Sequence, residues 1–148
     1  MKRPVANSAA VLALTLMAFA PGAVSAHNYT LGKIAIGHVW AKPAEHGGAT
    51  AVYGPIFDQG KDPVTLKSVS TPVGRAGFGS GKEGASGQLD HIDIPAGRPL
   101  ALAAWREHIR VENLARSLKA GDHFPLTMDF GTAGRITVEV EIENQSSE

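Results

Sequence analysis

The 148-residue chain contains no cysteine, no surplus of either charge and, past its first 26 residues, no long hydrophobic run. The missing cysteine excludes disulfide frameworks, thiolate metal sites, thiol nucleophiles and Fe–S clusters together. Fourteen basic residues balance fourteen acidic ones, which argues against a nucleic-acid partner, because phosphate contacts need a basic face. Methionine is scarce: of three, only Met128 lies beyond the first 26 residues. A helix-bundle composition is also lacking, since 17 glycines and nine prolines favour turns and strands.

What is present begins with an address. Lys2 and Arg3 precede an apolar run from Val11 to Ala20, about ten residues and too short to span a bilayer. Pro21 and Gly22 break the run, and Val24-Ser25-Ala26 offers the small side chains a signal peptidase requires. Residues 1–26 are therefore read as a signal peptide cleaved after Ala26. The product would be exported, start at His27 and carry 12 basic against 14 acidic residues. No later segment is apolar enough for membrane insertion. Residues 27–143 form one domain, and 144–148 a frayed tail.

The domain reads as strands. Ile136 to Ile142 alternates apolar and polar residues, as do Phe124, Leu126, Met128 and Phe130 with the residues between them. Gly131-Thr132-Ala133-Gly134 joins the two as a hairpin, and Pro125 suggests an edge or a strand start. Further strands are expected at Leu31–Ile36, Ala49–Ile56, Pro63–Val69, Leu89–Ile94 and Leu100–Leu102, giving an all-β sandwich of seven to eight strands. The glycine-rich stretch 74–87 is expected to be a mobile loop, and Glu112–Leu118 a short helical turn.

Several motif matches fail on their mechanics. Gly79 to Gly84 satisfies GxGxxG, but no helical pattern follows to hold a pyrophosphate. Ser80 is not on a GxSxG elbow, and Asp90, His91 and Asp93 read as a solvated strand entry. Trp40, Tyr53, Phe57 and Trp105 read as packing aromatics. Arg106, Arg110 and Arg116, interleaved with Glu107 and Glu112, read as a solvated face. An enzyme is not expected.

The six histidines are the candidates for chemistry. His27, as a first residue, can chelate a metal with both its α-amine and its ring Nδ1, the amine having a pKa of roughly 8. His38 and His46 follow within the first twenty residues of the processed chain. Nitrogen ligands suit Cu(II) or Zn, whereas a Cu(I) thioether cage has too few methionines to draw on. The candidate metal ligands are His108, His27, His46 and His38, with copper as the metal and Cu(II) favoured over Cu(I).

The segment Ile36-Gly37-His38-Val39-Trp40-Ala41-Lys42, the run Ile92 to Gly97, His108, and the run Leu118 to Thr127 together resemble the periplasmic copper chaperones of the PCu(A)C family. The resemblance spans about residues 33 to 142. It implies a cupredoxin-like β-sandwich that binds Cu(I) in the periplasm and passes it to a copper-accepting envelope protein, towards cytochrome oxidase assembly. The family's ligands are a His, a Met and a His-x-Met pair. Here His108 is kept, Arg110 replaces the paired Met, Ser86 stands at the middle Met, and Arg75 to Gly81 holds no His. Two readings follow: a copper chaperone relative that uses nitrogen ligands, or a metal-free accessory or interaction protein of the envelope that keeps the fold.

Overall fold

A side-chain period of two marks the longer strands of residues 28–81 and 87–144, the part of the chain that the computed structural model describes. Outside it lie the expected signal peptide, His27, the Ser86 position, the end of the GxGxxG match and the last four residues of the tail. Among the described residues thirteen strands form: β1 (Tyr29–Leu31), β2 (Ile34–Ile36), β3 (Trp40–Ala41), β4 (Thr50–Asp58), β5 (Val64–Leu66), β6 (Ser68–Ser70), β7 (Arg75–Ser80), β8 (Gly87–Leu89), β9 (Ile92–Ile94), β10 (Pro99–Leu102), β11 (His108–Glu112), β12 (His123–Asp129) and β13 (Arg135–Ile142). The main path of pairing is β6-β12-β13-β3-β4-β11-β7-β8, with β2 and β10 joined to β4, β1 joined to β2, and β5 paired with β9. The curled sheets close as a β-sandwich, the expected fold class.

The hairpin β12–β13 forms with Phe124 opposite Val140 and Met128 opposite Ile136. Phe124, Leu126, Met128, Val138, Val140 and Ile142 face inward and join Val52, Ile56, Ile109 and Val111 in one core. Each such side chain contributes about 1.5–3 kcal/mol by leaving water. Pro125 lies at the start of β12, beyond the three residues that pair with β6, so its missing N–H disturbs no ladder there.

Strands outnumber the expected seven or eight because single apolar runs are divided. Leu31–Ile36 turns back on itself at Gly32, whose φ is +57°, so that β1 pairs with β2. Pro63–Val69 breaks at Lys67, whose N–H donates to the Asp129 carbonyl at 2.8 Å. Of the stretch 74–87, expected to be a mobile loop, residues 82–86 lie outside the described part, and the rest contains strand β7 and the first residue of β8. Gly79 lies beneath the His108 and Arg110 side chains of β11, which pairs residue for residue with β7.

The helical turn expected at Glu112–Leu118 is absent. Leu114 and Leu118 are buried, a spacing that mimics a helix face, but the backbone N–H groups bond elsewhere. Leu114 donates to Gly48, Ala115 to Val73 and Leu118 to Ala44. The one helical turn among the described residues is a 3₁₀ turn at Gly131–Ala133 in the hairpin connection.

Strand β4 holds the two layers together. Its first half pairs with β3 and β11, and its second half with β2 and β10. Gly54 sits at the change, with φ at +144°. A Cβ there would lie 2.6 Å from the His38 carbonyl oxygen and 3.1 Å from Val39. Gly37 makes the matching close approach: its N–H donates to the Pro55 carbonyl at 3.0 Å, and a Cβ would stand 2.7 Å from Pro55 Cγ.

Gly54→Ala combines a strained φ with a backbone clash and is expected to cost about 4 kcal/mol of stability. Gly47→Ala, at a positive φ in open space, should cost about 1 kcal/mol. Urea denaturation of the two variants checks this, and equal losses would remove the crossing as a special constraint.

Candidate metal centre

The eight-stranded path presents one outward face, and two of the candidate ligands, His38 and His108, lie on it. On β11, Ile109 and Val111 point inward, which turns His108, Arg110 and Glu112 outward. His108 Nδ1 lies 2.8 Å from the Arg106 carbonyl oxygen. A carbonyl only accepts, so Nδ1 carries the proton, and in the neutral ring Nε2 keeps the free lone pair. Gly79 lies opposite His108 in register, and a Cβ there would stand 2.8 Å from His108 Nε2 and 2.8 Å from Arg110 Cδ. Glycine makes the room in which that nitrogen sits.

Arg110 stands two residues on, over Gly77. It is 3.1 Å from the Glu112 carboxylate, which also accepts a bond from Arg75 at 2.6 Å. That Arg75 bond, helped by the Arg110 charge and opposed slightly by burial, holds Glu112 below its ordinary pKa of 4.5. Two shallow depressions of about 370 Å³ flank Arg110, one lined by Arg75, Phe78, Gln88 and Glu112, the other by Lys42, Thr50, Tyr53 and His108.

Across the same face lies a second group. Strand β13 runs parallel to β3, with Glu141 opposite Trp40. The N–H groups of Glu141 and Glu143 donate to the carbonyls of Val39 and Ala41 at 3.1 and 3.0 Å. His38 leads into β3, and its Nε2 contacts the Glu143 carboxylate, while its Nδ1 is 4.0 Å from Glu141 Oε2. One ligand atom from each of His38, Glu141 and Glu143 lies within 4.8 Å of the others, and all three residues are half-buried. The two regions are bridged by rings: Trp40 packs on Tyr53 at 5.0 Å, and Tyr53 meets the edge of His108 at 6.4 Å.

The expected ligands thus fall at separate places. His38 joins two glutamates. His108 stands alone with an oriented ring, and His46 is exposed in a turn, its backbone N–H donating to Ser117 Oγ at 3.0 Å. Among the described residues, no group of three metal-capable side chains includes His46 or His108. His27 lies outside those residues. Met128 is fully buried and offers its sulfur to no surface site.

Sequence reasoning missed Glu141 and Glu143. The alternation of β13 placed Glu139 and Glu141 on a polar face, but nothing local paired that strand with a segment a hundred residues earlier. Trp105, read as a packing aromatic, is 73% exposed. The arginines read as a solvated face are ion-paired: Arg106 to Glu107, Arg110 to Glu112 and Arg116 to Asp122. Asp90, His91 and Asp93 are exposed, with His91 3.5 Å from Asp93.

The LpqE-like lipoprotein family model matches residues 34–142. No curated protein sequence matches the chain. Among solved structures, the apo PCuAC domain from PmoF1 is similar, with a TM-score of 0.71 and 21% identity, covering 79% of this chain and 98% of that one. The copper-bound PCuAC domain from PmoF2 has a TM-score of 0.70 and 24% identity, covering 79% and 97%. The solution structure of CuI-DR1885 from Deinococcus radiodurans has a TM-score of 0.55 and 23% identity, covering 72% and 77%. At these identities the likeness is one of fold.

The Arg75–Glu112–Arg110 group gives a pH signature. A carboxyl whose pKa is lowered by folding stabilises the fold above its unfolded value, and that contribution disappears as pH falls through the folded value. Glu112→Gln should therefore be less stable than the parent near pH 7, and the two curves should converge as pH falls from about 4.5 towards 3. Urea midpoints across that range check the sign, and a gap that persists in acid would mean Glu112 acts through packing.

Proposed function

The chain belongs to the LpqE-like family, of PCuAC type, and on that premise we propose that it is an exported, chaperone-like copper-binding protein with nitrogen in place of thioether ligands. One observation carries the reading. His108, the retained residue of the family's His-x-Met pair, has its Nδ1 tied to the Arg106 carbonyl and its Nε2 placed above a glycine. Metal-ligating histidines are commonly oriented in this way by a bond from the other ring nitrogen.

The donor set does not suit Cu(I). Its soft thioether partners are gone, since Arg110 replaces one and Met128 is locked in the core. A guanidinium cannot coordinate, and its fixed charge disfavours a nearby cation. Imidazole nitrogens suit Cu(II) or Zn, and a free amine at His27, once the leader is removed, would add a chelating pair. The protein would work in the periplasm and pass copper to an accepting envelope protein, as in cytochrome oxidase assembly. Binding and release need no catalytic group, so no enzyme activity is assigned.

A second reading, a metal-free accessory protein of the envelope, is favoured by the Arg75–Glu112–Arg110 ion-pair group standing beside His108.

Competitive titration of the chain starting at His27 with Cu(I) and with Cu(II) tests both readings. Tight Cu(II) binding, weakened by His108→Ala and by one added N-terminal residue, is expected. Arg110→Met restores the His-x-Met pair and should raise Cu(I) affinity selectively. Binding of neither ion would support the metal-free reading.

A further inference from the structure

The geometry points to a separate divalent-cation site formed by His38, Glu141 and Glu143, on the opposite side of the Trp40–Tyr53 pair from His108. Ligand atoms on a common ion at about 2.0–2.2 Å lie at most about 4.4 Å apart. The three atoms here, all within 4.8 Å of one another, need only small rotations to meet that condition. One imidazole nitrogen and two carboxylate oxygens form a three-ligand set with a position left for water or a further donor, and its hardness suits Zn(II) or Cu(II) and excludes Cu(I).

Two further observations separate this group from an ordinary surface ion pair. The first is charge. Glu107, Glu112, Asp122 and Asp129 each have a guanidinium within 4.0 Å that answers their charge. Among the described residues, Glu141 and Glu143 have only His38 within that distance. Two carboxylates facing one imidazole keep a negative balance even when the ring is charged, and a divalent ion removes it. The second is rigidity. Glu141 lies in β13 and Glu143 just past its end, and their N–H groups donate to the carbonyls of Val39 and Ala41, which directly follow and flank His38 and Trp40 in the β3 segment. Sites on such fixed backbone lose little freedom when an ion arrives.

The inference does not rest on His108, which allows the two to be tested apart. Zn(II) should raise the melting temperature of the parent, since an ion that binds the folded state stabilises it by mass action. Glu141→Gln/Glu143→Gln, isosteric and on the outer face, should lose that rise, and His108→Ala should keep it. In a Trp105→Phe background Trp40 is the remaining tryptophan of the processed chain, and it lies opposite Glu141 in register. Cu(II) should quench its emission in the parent and, at the same concentration, leave it unquenched in the double-glutamine variant.

If the double variant does not fold, Glu143→Gln alone should weaken Zn(II) binding by more than about tenfold. A Zn(II) shift equal in the parent and the glutamine variants overturns the site, as does a parent with no shift at all. Loss of the shift in His108→Ala with retention in the glutamine variants overturns it too, while leaving the copper reading in place. The reverse pattern is the expected one: it supports this site and leaves the copper reading at His108 to its own titration.

Discussion

The contact between Gly54 and the His38 carbonyl governs the rest of the structure. Strand β4 must serve both layers, and it changes partners within one residue, between Tyr53 opposite Trp40 and Gly54 opposite Leu102. The neighbouring segment 37–39 then passes so close that neither Gly54 nor Gly37 has room for a Cβ. That approach decides where β3 begins, which residues of it face outward, and how it meets β13. Val39 and Ala41 are driven inward, so His38 and Trp40 are left on the outer face with the glutamates. The ligand geometry is a consequence of how two sheets share a strand.

The same shared strand lines up the outer face. Reading across neighbouring strands, Glu141 stands opposite Trp40, Trp40 opposite Tyr53, Tyr53 against the His108 ring, and His108 opposite Gly79. The charges at the two ends of this row differ in sign. Glu139, Glu141 and Glu143 lie at one end, and Lys42, Arg75 and Arg110 at the other, around His108. The aromatic pair fills the middle with side chains that are neither acid nor base, and so keeps the two electrostatic environments apart over several ångströms. At half exposure such charges act weakly one by one, but three of one sign on adjacent outward positions bias which ions approach.

The fold class was legible in the sequence because the β12–β13 hairpin carries an unbroken period of two and a glycine connection that permits the turn. The strand count was not, because runs such as Leu31–Ile36 are uniformly apolar and do not show where the chain reverses. Residues 74–87 looked too rich in glycine to be ordered. Residues 75–79 are ordered by pairing with β11, whose His108 and Arg110 side chains occupy the space above Gly79. Leu114 and Leu118 imitated a helix because both are buried four residues apart, while their N–H groups serve Gly48 and Ala44 across the molecule. At the candidate site, His108 and His38 were legible as ligand types, but their surroundings were not. The carboxylates beside His38 come from a parallel pairing of strands separated by about a hundred residues, and the orientation of His108 depends on a backbone carbonyl that any residue at 106 would supply.

On the proposed reading, Arg110 in place of the family's Met has a wider consequence than the loss of one ligand. A thioether adds no charge, so a Cu(I) site on this face would need no counter-ion. A guanidinium in the same place adds a permanent positive charge, and the structure answers with Glu112, drawn between Arg110 and Arg75. A pair of unit charges at about 4 Å is worth about 4 kcal/mol in the surroundings of a protein surface and about 1 kcal/mol in water. A cation at His108 must therefore approach Arg110 with its repulsion partly cancelled by Glu112, and the His108 ring offers it a nitrogen donor. At the other end of the row the balance is inverted, with two carboxylates, one imidazole and no arginine. On the proposed reading, the face thus holds a copper position with nitrogen in place of thioether at one end and a hard-ligand group with an uncancelled negative charge at the other. A divalent ion satisfies the second without any rearrangement of the fold.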